Sequence, residues 1–219
     1  HRYFASALGL MILIIAALGV ANRKRFKQPV KLPLFLVALV IFQGILGMWT
    51  VTMGLQPTIV MLHLLGGFTT FTLLALLAAR LYRWPSFLND CDVRSMKPLA
   101  SITLAALVLQ IALGGWTSAN YAALACGTDY PTCLGQWWPE QDYREGFVLW
   151  RGIGVDYEGG VLDGPARVAI QMAHRLMAIL VVGHLLMVAI RLLRSTGLRY
   201  SGGLLLVLLC QLLSCVCHK

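Results

Sequence analysis

Apolar residues run along this chain in long blocks. They show neither the alternation of a half-buried strand nor the narrow stripe of a surface helix. From Leu32 to Ala79, 48 residues pass without one Asp, Glu, Lys or Arg. At about 1.5 Å per helical residue this stretch is roughly 70 Å long, enough to cross a ~30 Å hydrocarbon core twice. Pro57, in Leu55-Gln56-Pro57-Thr58, divides it into two helices joined by a tight turn. Read the same way, the whole chain predicts six spans: Arg2–Ala21, Pro33–Met53, Thr58–Ala79, Pro98–Ser118, Ala166–Ile190 and Gly202–Cys217. Asp163-Gly164-Pro165 is a start signal for the fifth. The predicted fold class is all-α, a polytopic membrane helical bundle. Residues 1–79 form a first half-bundle, 80–97 a connecting loop, and 98–219 a second half-bundle carrying a long loop, 119–165.

The polar segments between spans alternate in character. Three are basic: Asn22–Lys31 with Arg23, Lys24, Arg25, Lys27 and Lys31, then Arg80–Lys97 with Arg80, Arg83, Arg94 and Lys97, then Arg191–Tyr200 with Arg191, Arg194 and Arg199. They hold 12 of the 18 Lys and Arg. The intervening segments are the uncharged turn at Pro57 and the 47-residue loop, which has seven acidic residues and two Arg. Positive charge stays on the cytoplasmic side, so the basic loops are expected in the cytoplasm and loop 119–165 outside. Trp49, Trp116, Trp137 and Trp138 fall at or beyond the outer ends of spans, where an aromatic belt is expected.

Composition agrees: 58% of the residues are hydrophobic and 12% charged, against about 25% charged in a soluble domain. This excludes a soluble enzyme and a disordered chain. The net charge of +9 does not indicate nucleic acid, because the basic residues lie between apolar spans and not on one soluble face. The chain opens on His1 with no charged segment ahead of its first apolar run, as a signal peptide would have, and is read as a piece of a longer product.

One pattern occurs twice. Gln43-Gly-Ile-Leu-Gly47-Met-Trp49-Thr50 matches Gln110-Ile-Ala-Leu-Gly114-Gly-Trp116-Thr117, both at the outer ends of spans. Each copy is followed by a helix with a histidine near its outer end, His63 or His174. His1-Arg2 echoes His174-Arg175. His1, His63 and His174 therefore sit on alternate helices in the outer third of the bilayer. A lone histidine of this kind is commonly a hydrogen-bonded helix contact, but three at one level mark a site. Imidazoles on facing helices supply axial ligands to a haem iron. Zinc would need about four close ligands, and no Cys or carboxylate lies at this depth.

Gly66 and Gly67 follow His63 by three and four residues, on its face of the helix. They give room either to a flat porphyrin or to a close helix neighbour. Arg2 and Arg175 lie on the outer side, against the charge bias. They either meet haem propionates or reach for water. His184, about 15 Å deeper than His174, is a packed or hydrogen-bonded helix residue. His218 is given no role. Cys126 and Cys133, in the outer loop, are expected to form a disulfide, with a redox-active pair as the sharper alternative. Cys91 is expected as a free cytoplasmic thiol. Cys215-Val216-Cys217-His218 is one residue short of a covalent haem-attachment pattern.

Taken together, His1-Arg2, Phe42–Val51, Leu62-His63-Leu64-Leu65, Leu113–Ser118, the loop from Cys126 to Pro139 ending Cys-Leu-Gly-Gln-Trp-Trp-Pro, and Ala173-His174-Arg175-Leu176 resemble the haem A synthase family, of the COX15/CtaA type. The resemblance covers the chain to about Leu213. It implies eight helices in two pseudosymmetric four-helix halves, of which six are visible here. By resemblance, His1 and His63 match the histidine pair of the substrate half, and His174 one ligand of a haem b in the other. Its partner belongs on a further helix, and the family's functional Glu lies upstream of His1, so no catalytic residue is assigned. The implied reaction oxidises the C8 methyl of haem O to a formyl group, giving haem A for cytochrome oxidase. The implied setting is a bacterial inner (plasma) membrane. The implied partners are membrane lipid, haem O synthase, cytochrome oxidase assembly proteins and a second copy of the chain. The alternatives are a di-haem b-type electron-transfer subunit, a repeat-built transporter with a histidine proton relay, and a haem-binding assembly factor without catalysis.

Overall fold

In the computed structural model, residues 2–26, 30–82, 90–152 and 154–196 are described. They form seven helices: α1 (Arg2–Ala21), α2 (Arg23–Phe26), α3 (Lys31–Thr52), α4 (Pro57–Leu81), α5 (Asp90–Ala119), α6 (Tyr143–Gly146) and α7 (Gly164–Thr196). Five of these, α1, α3, α4, α5 and α7, are long and apolar enough to cross a membrane. Their side faces carry large exposed apolar residues such as Val51, Phe71 and Ile179, as suits helices whose surroundings are lipid and whose backbone bonds close internally. The chain is a multi-pass membrane protein. The expected sixth span, Gly202–Cys217, lies outside the described residues, as do His1 and His218.

Three helix starts have a local cause. After α3 the chain turns through Gly54 and Leu55, both with positive φ (57° and 59°). Gln56 then caps α4, its side-chain oxygen accepting the backbone N–H of Ile59 at 3.0 Å. Pro57 follows as the first helical residue, where the missing N–H costs nothing. Asp163 does the same for α7, accepting from the Ala166 N–H at 3.0 Å. Asp142 accepts from Glu145 N–H at 2.9 Å and starts α6.

Two boundaries differ from the sequence expectation. The loop assigned to residues 80–97 is shorter, because α5 begins at Asp90 and carries Pro98 inside it. Proline removes one ladder bond without ending the helix, and an apolar run marks the part of a helix that lies in lipid rather than where it starts. For the same reason α7 continues past Ile190 to Thr196.

The described residues divide into two compact units. The first comprises α1–α4 with loop residues Arg151–Glu158, the second α5–α7 with the rest of the long loop. In the first, α3 packs against both α1 and α4. Ile12, Leu36 and Leu77 form its buried core, backed by Leu32, Val37, Val40, Leu73 and Leu74. Loop residues 151–158, expected with the second half, belong here. The Tyr157 N–H donates to the Gly54 carbonyl at 3.0 Å, and the Tyr157 side chain is buried. A β-carbon on Gly54 would stand 3.0 Å from the Val155 carbonyl, so the turn admits the loop only as glycine.

In the second unit α5 packs along α7, and α6 lies on α7. The long loop is tied down by side chains. Trp116 Nε1 donates to the Gly146 carbonyl at 2.9 Å, and Asn120 Nδ2 to the Trp116 carbonyl at 2.9 Å. Gly146 is needed because a β-carbon there would meet the Ala166 carbonyl at 2.8 Å. Cys126 and Cys133 are joined in a disulfide, which packs with Val168 and Met172 at the loop end of α7. The belt reading thus fails for Trp116. It is 3% exposed beneath the loop, whereas Trp137 and Trp138 are 73% and 64% exposed.

Replacing Trp116 by Phe removes the donor from a buried carbonyl and is expected to destabilise the protein by about 1–3 kcal/mol. Trp49→Phe, at a partly exposed position, should stay within about 0.5 kcal/mol of wild type. Thermal unfolding of the detergent-solubilised protein reads both.

Candidate functional site

The duplicated motif builds the same local arrangement in each unit. In the first, the His63 imidazole on α4 lies over Gly47 on α3. A β-carbon at Gly47 would stand 3.3 Å from His63 Cε1 and 3.7 Å from its Nε2. In the second, the His174 imidazole on α7 lies over Gly114 on α5, with the corresponding separations 3.2 and 3.8 Å. The glycine of the repeat is thus a seat for the imidazole of the next spanning helix. It lets two backbones approach closely where a flat ring must fit between them.

His63 lies six residues into α4, about 9 Å along its axis. His174 lies farther along the longer α7, yet in the same register against the repeat.

Neither ring is satisfied. Nδ1 of His63 and Nδ1 of His174 are buried without a hydrogen-bond partner among the described residues. His184, on the same helix as His174, behaves otherwise: its Nδ1 lies 2.8 Å from the Leu180 carbonyl, one turn back. That is the hydrogen-bonded helix histidine expected from the sequence. A transmembrane helix can therefore satisfy a histidine locally, and at His63 and His174 it does not.

The other predicted site residues divide. His1 lies outside the described residues, and so does the side chain of Arg2. Gly66 does not leave space for a porphyrin. A methyl group there would overlap the Gln43 amide, which occupies the notch. Gly67 meets nothing within 4 Å and remains open.

Arg175 is not turned to an anion. Its Nη1 donates to the Thr132 carbonyl at 3.0 Å and its Nη2 to the Asp129 carbonyl at 2.9 Å, and its guanidinium lies 5.8 Å from the Tyr130 ring centre. Both arms clamp the disulfide loop, which is why a positive residue stands at this end of α7. Gln171, one turn earlier, completes the clamp. It accepts from Cys126 N–H at 3.0 Å and donates to the Ala123 carbonyl at 2.8 Å. The cysteine pair is therefore part of a held loop on α7, one residue from the His174 position.

Sequence reasoning treated Gln43 and Gln110 as pattern markers and passed over their chemistry. Both are half-buried polar residues inside apolar spans, and each ends in a buried, unpartnered atom, Gln43 Nε2 and Gln110 Oε1. A glutamine within a charge-free run was the available signal.

Among the described residues no three His, Cys, Asp or Glu side chains cluster closely enough to hold a metal ion unaided. A porphyrin brings its own equatorial nitrogens and asks the protein only for axial ligands. A half-buried imidazole with a buried, unpaired Nδ1, seated on a glycine in each half, fits that demand.

The family described as cytochrome oxidase assembly protein, COX15-CtaA, matches residues 1–217. A haem A synthase of Shewanella oneidensis is 47% identical over 209 residues, which cover 95% of this chain and 62% of that protein. A haem A synthase of Shouchella clausii is 27% identical over 149 residues, covering 64% of this chain and 47% of that protein. The chain thus spans less than two thirds of the length of either relative. No solved structure matches it.

The paired glycines supply a test. Gly66→Ala, which puts a methyl where the flexible end of Gln43 lies and displaces it from the notch, is expected to destabilise the protein by up to about 1 kcal/mol. Gly67→Ala, pointing into open space, should be neutral or stabilising by up to about 1 kcal/mol. Equal thermal shifts for the two variants would contradict the notch.

Proposed function

The chain belongs to the COX15-CtaA family of cytochrome oxidase assembly proteins, and on that premise we propose that it acts as a haem A synthase, an oxidoreductase that converts the C8 methyl of haem O to the formyl group of haem A. The observation that carries the proposal is the repeated seat: one imidazole with a buried, unpartnered Nδ1 on a glycine in each half. His63, with His1, holds the substrate haem in the first half. His174 would hold haem b in the second. Gly67 leaves room at the face below His63.

When bound, haem b would supply electron-transfer chemistry, and the protein would supply ligation, orientation and an apolar surrounding. The helices bring two imidazoles into hydrocarbon, where a neutral ring is a good ligand and water does not compete. The disulfide loop, held by Arg175 and Gln171, fixes the end of α7 beside His174. The protein sits in the bacterial inner membrane with its basic loops in the cytoplasm. It takes haem O from a prenylating synthase and passes haem A to oxidase assembly proteins, in lipid and as a homo-oligomer.

The test uses membranes carrying the full gene product. A reduced-minus-oxidised spectrum and pigment extraction should show b-type haem and conversion of haem O to haem A. Absence of any b-, o- or a-type haem would sink the proposal. Haem without conversion would point to a non-catalytic assembly factor. His63→Ala and His174→Ala should each lower haem content in one half, and unchanged content in both variants would remove the ligand assignment.

A further inference from the structure

Two half-buried polar side chains in the spans are left without a role. Gln43 and Gln110 are the first residues of the two repeat copies. Each ends in a buried amide atom that lacks a partner, Nε2 in Gln43 and Oε1 in Gln110. The histidine that follows each copy has the same deficiency at Nδ1. An isolated packing fault would not recur at matching positions of both halves. In the second half the two orphans are complementary, the Gln110 Oε1 that can accept and a His174 ring nitrogen that can donate; in the first half the amide must turn over to present its oxygen.

We propose that Gln43 and Gln110 are positioning residues whose amide oxygens accept the Nδ1–H of His63 and His174, presenting Nε2 as the ligand nitrogen. The inference rests on the haem reading above. A neutral imidazole has one proton. If Nε2 binds iron, that proton is on Nδ1, and ligating imidazoles place it on an acceptor. In His184 the acceptor is the carbonyl one turn back. For His63 and His174 that bond is not made, lipid offers none, and the repeat glutamine is a polar side chain on the facing helix whose end is itself unpartnered.

The register allows it. The Gln43 amide lies against Gly66, and the His63 ring lies against Gly47. Gly66 is three residues from His63 and Gly47 four from Gln43, so amide and ring are offset by roughly 4.5–6 Å along the helices. A change of glutamine rotamer crosses that distance, and a half-turn of the amide exchanges oxygen and nitrogen. In the second half the buried orphan is already the acceptor, Oε1 of Gln110. There Met177 stands at the position that Gly66 holds in the first half, so no glycine notch competes for the amide.

The experiment compares wild type, Gln110→Glu and Gln110→Leu in the full gene product, reading haem content by pigment extraction and the midpoint potential by redox titration. Glutamate keeps an acceptor and draws the Nδ1 proton more strongly, so the ring donates more to ferric iron. That variant should retain haem at a lower midpoint. Leucine should raise the midpoint, or lose the haem that glutamate keeps. A leucine variant equal to wild type in both readings overturns the proposal, as does equal loss of haem in both variants. A wild type without haem fails the ligand assignment instead, so the two failures are told apart. A merely structural glutamine would shift stability and leave the midpoint where it was.

Discussion

Lipid supplies no hydrogen bond, so every polar atom inside an apolar span has to be met from within the protein or from a bound group. Most of this chain obeys that constraint locally. Thr69, Thr70, Thr72, Thr103 and Thr117 each return their hydroxyl to the carbonyl one turn back, and His184 does the same with its ring. Against that background the exceptions carry the information. His63, His174, Gln43 and Gln110 are large polar side chains at the seams between helices, and they do not use the local solution. They occur in the two copies of one motif and at the histidine that follows each.

The halves have diverged around that shared seam. The repeat's tryptophan is partly exposed at Trp49 and buried at Trp116. The connection leaving each copy makes the difference. After Trp49 the chain returns at once through Gly54, Leu55 and Gln56. After Trp116 it enters a long loop that folds back, receives the indole N–H at Gly146 and is closed by the Cys126–Cys133 disulfide. Arg175 and Gln171 then bind the loop's carbonyls and amide to α7, so the histidine helix of the second half carries its own cover. In the first half part of that role falls to Tyr157, which reaches the turn at Gly54.

Much of the molecule was legible in advance. Long charge-free runs define membrane helices because few other structures survive in hydrocarbon. Pro57 and Asp163 gave true boundaries because they act on their own backbone neighbours. The repeat revealed itself by residue identity, and the seat for His63 and His174 follows from its glycines. The cysteine pair was readable from spacing and position. Helix starts near Asp90 and ends near Thr196 were not, since hydropathy tracks lipid rather than helicity. Nor were the fates of Arg175, Gly66 and Trp116, each decided by a partner 30 or more residues away or on another helix.

The amino-acid sequence by itself thus determined the class of fold, the places where the chain turns and the side chains able to ligate, because these depend on near neighbours and on solubility in lipid. Tertiary structure alone decided which of those side chains are left unsatisfied. Arg175 is satisfied by loop carbonyls and Gly66 is filled by Gln43, while the Nδ1 atoms of His63 and His174 remain without a partner. Satisfaction is a relation between a donor and an acceptor brought together by folding, and no single segment of sequence contains both.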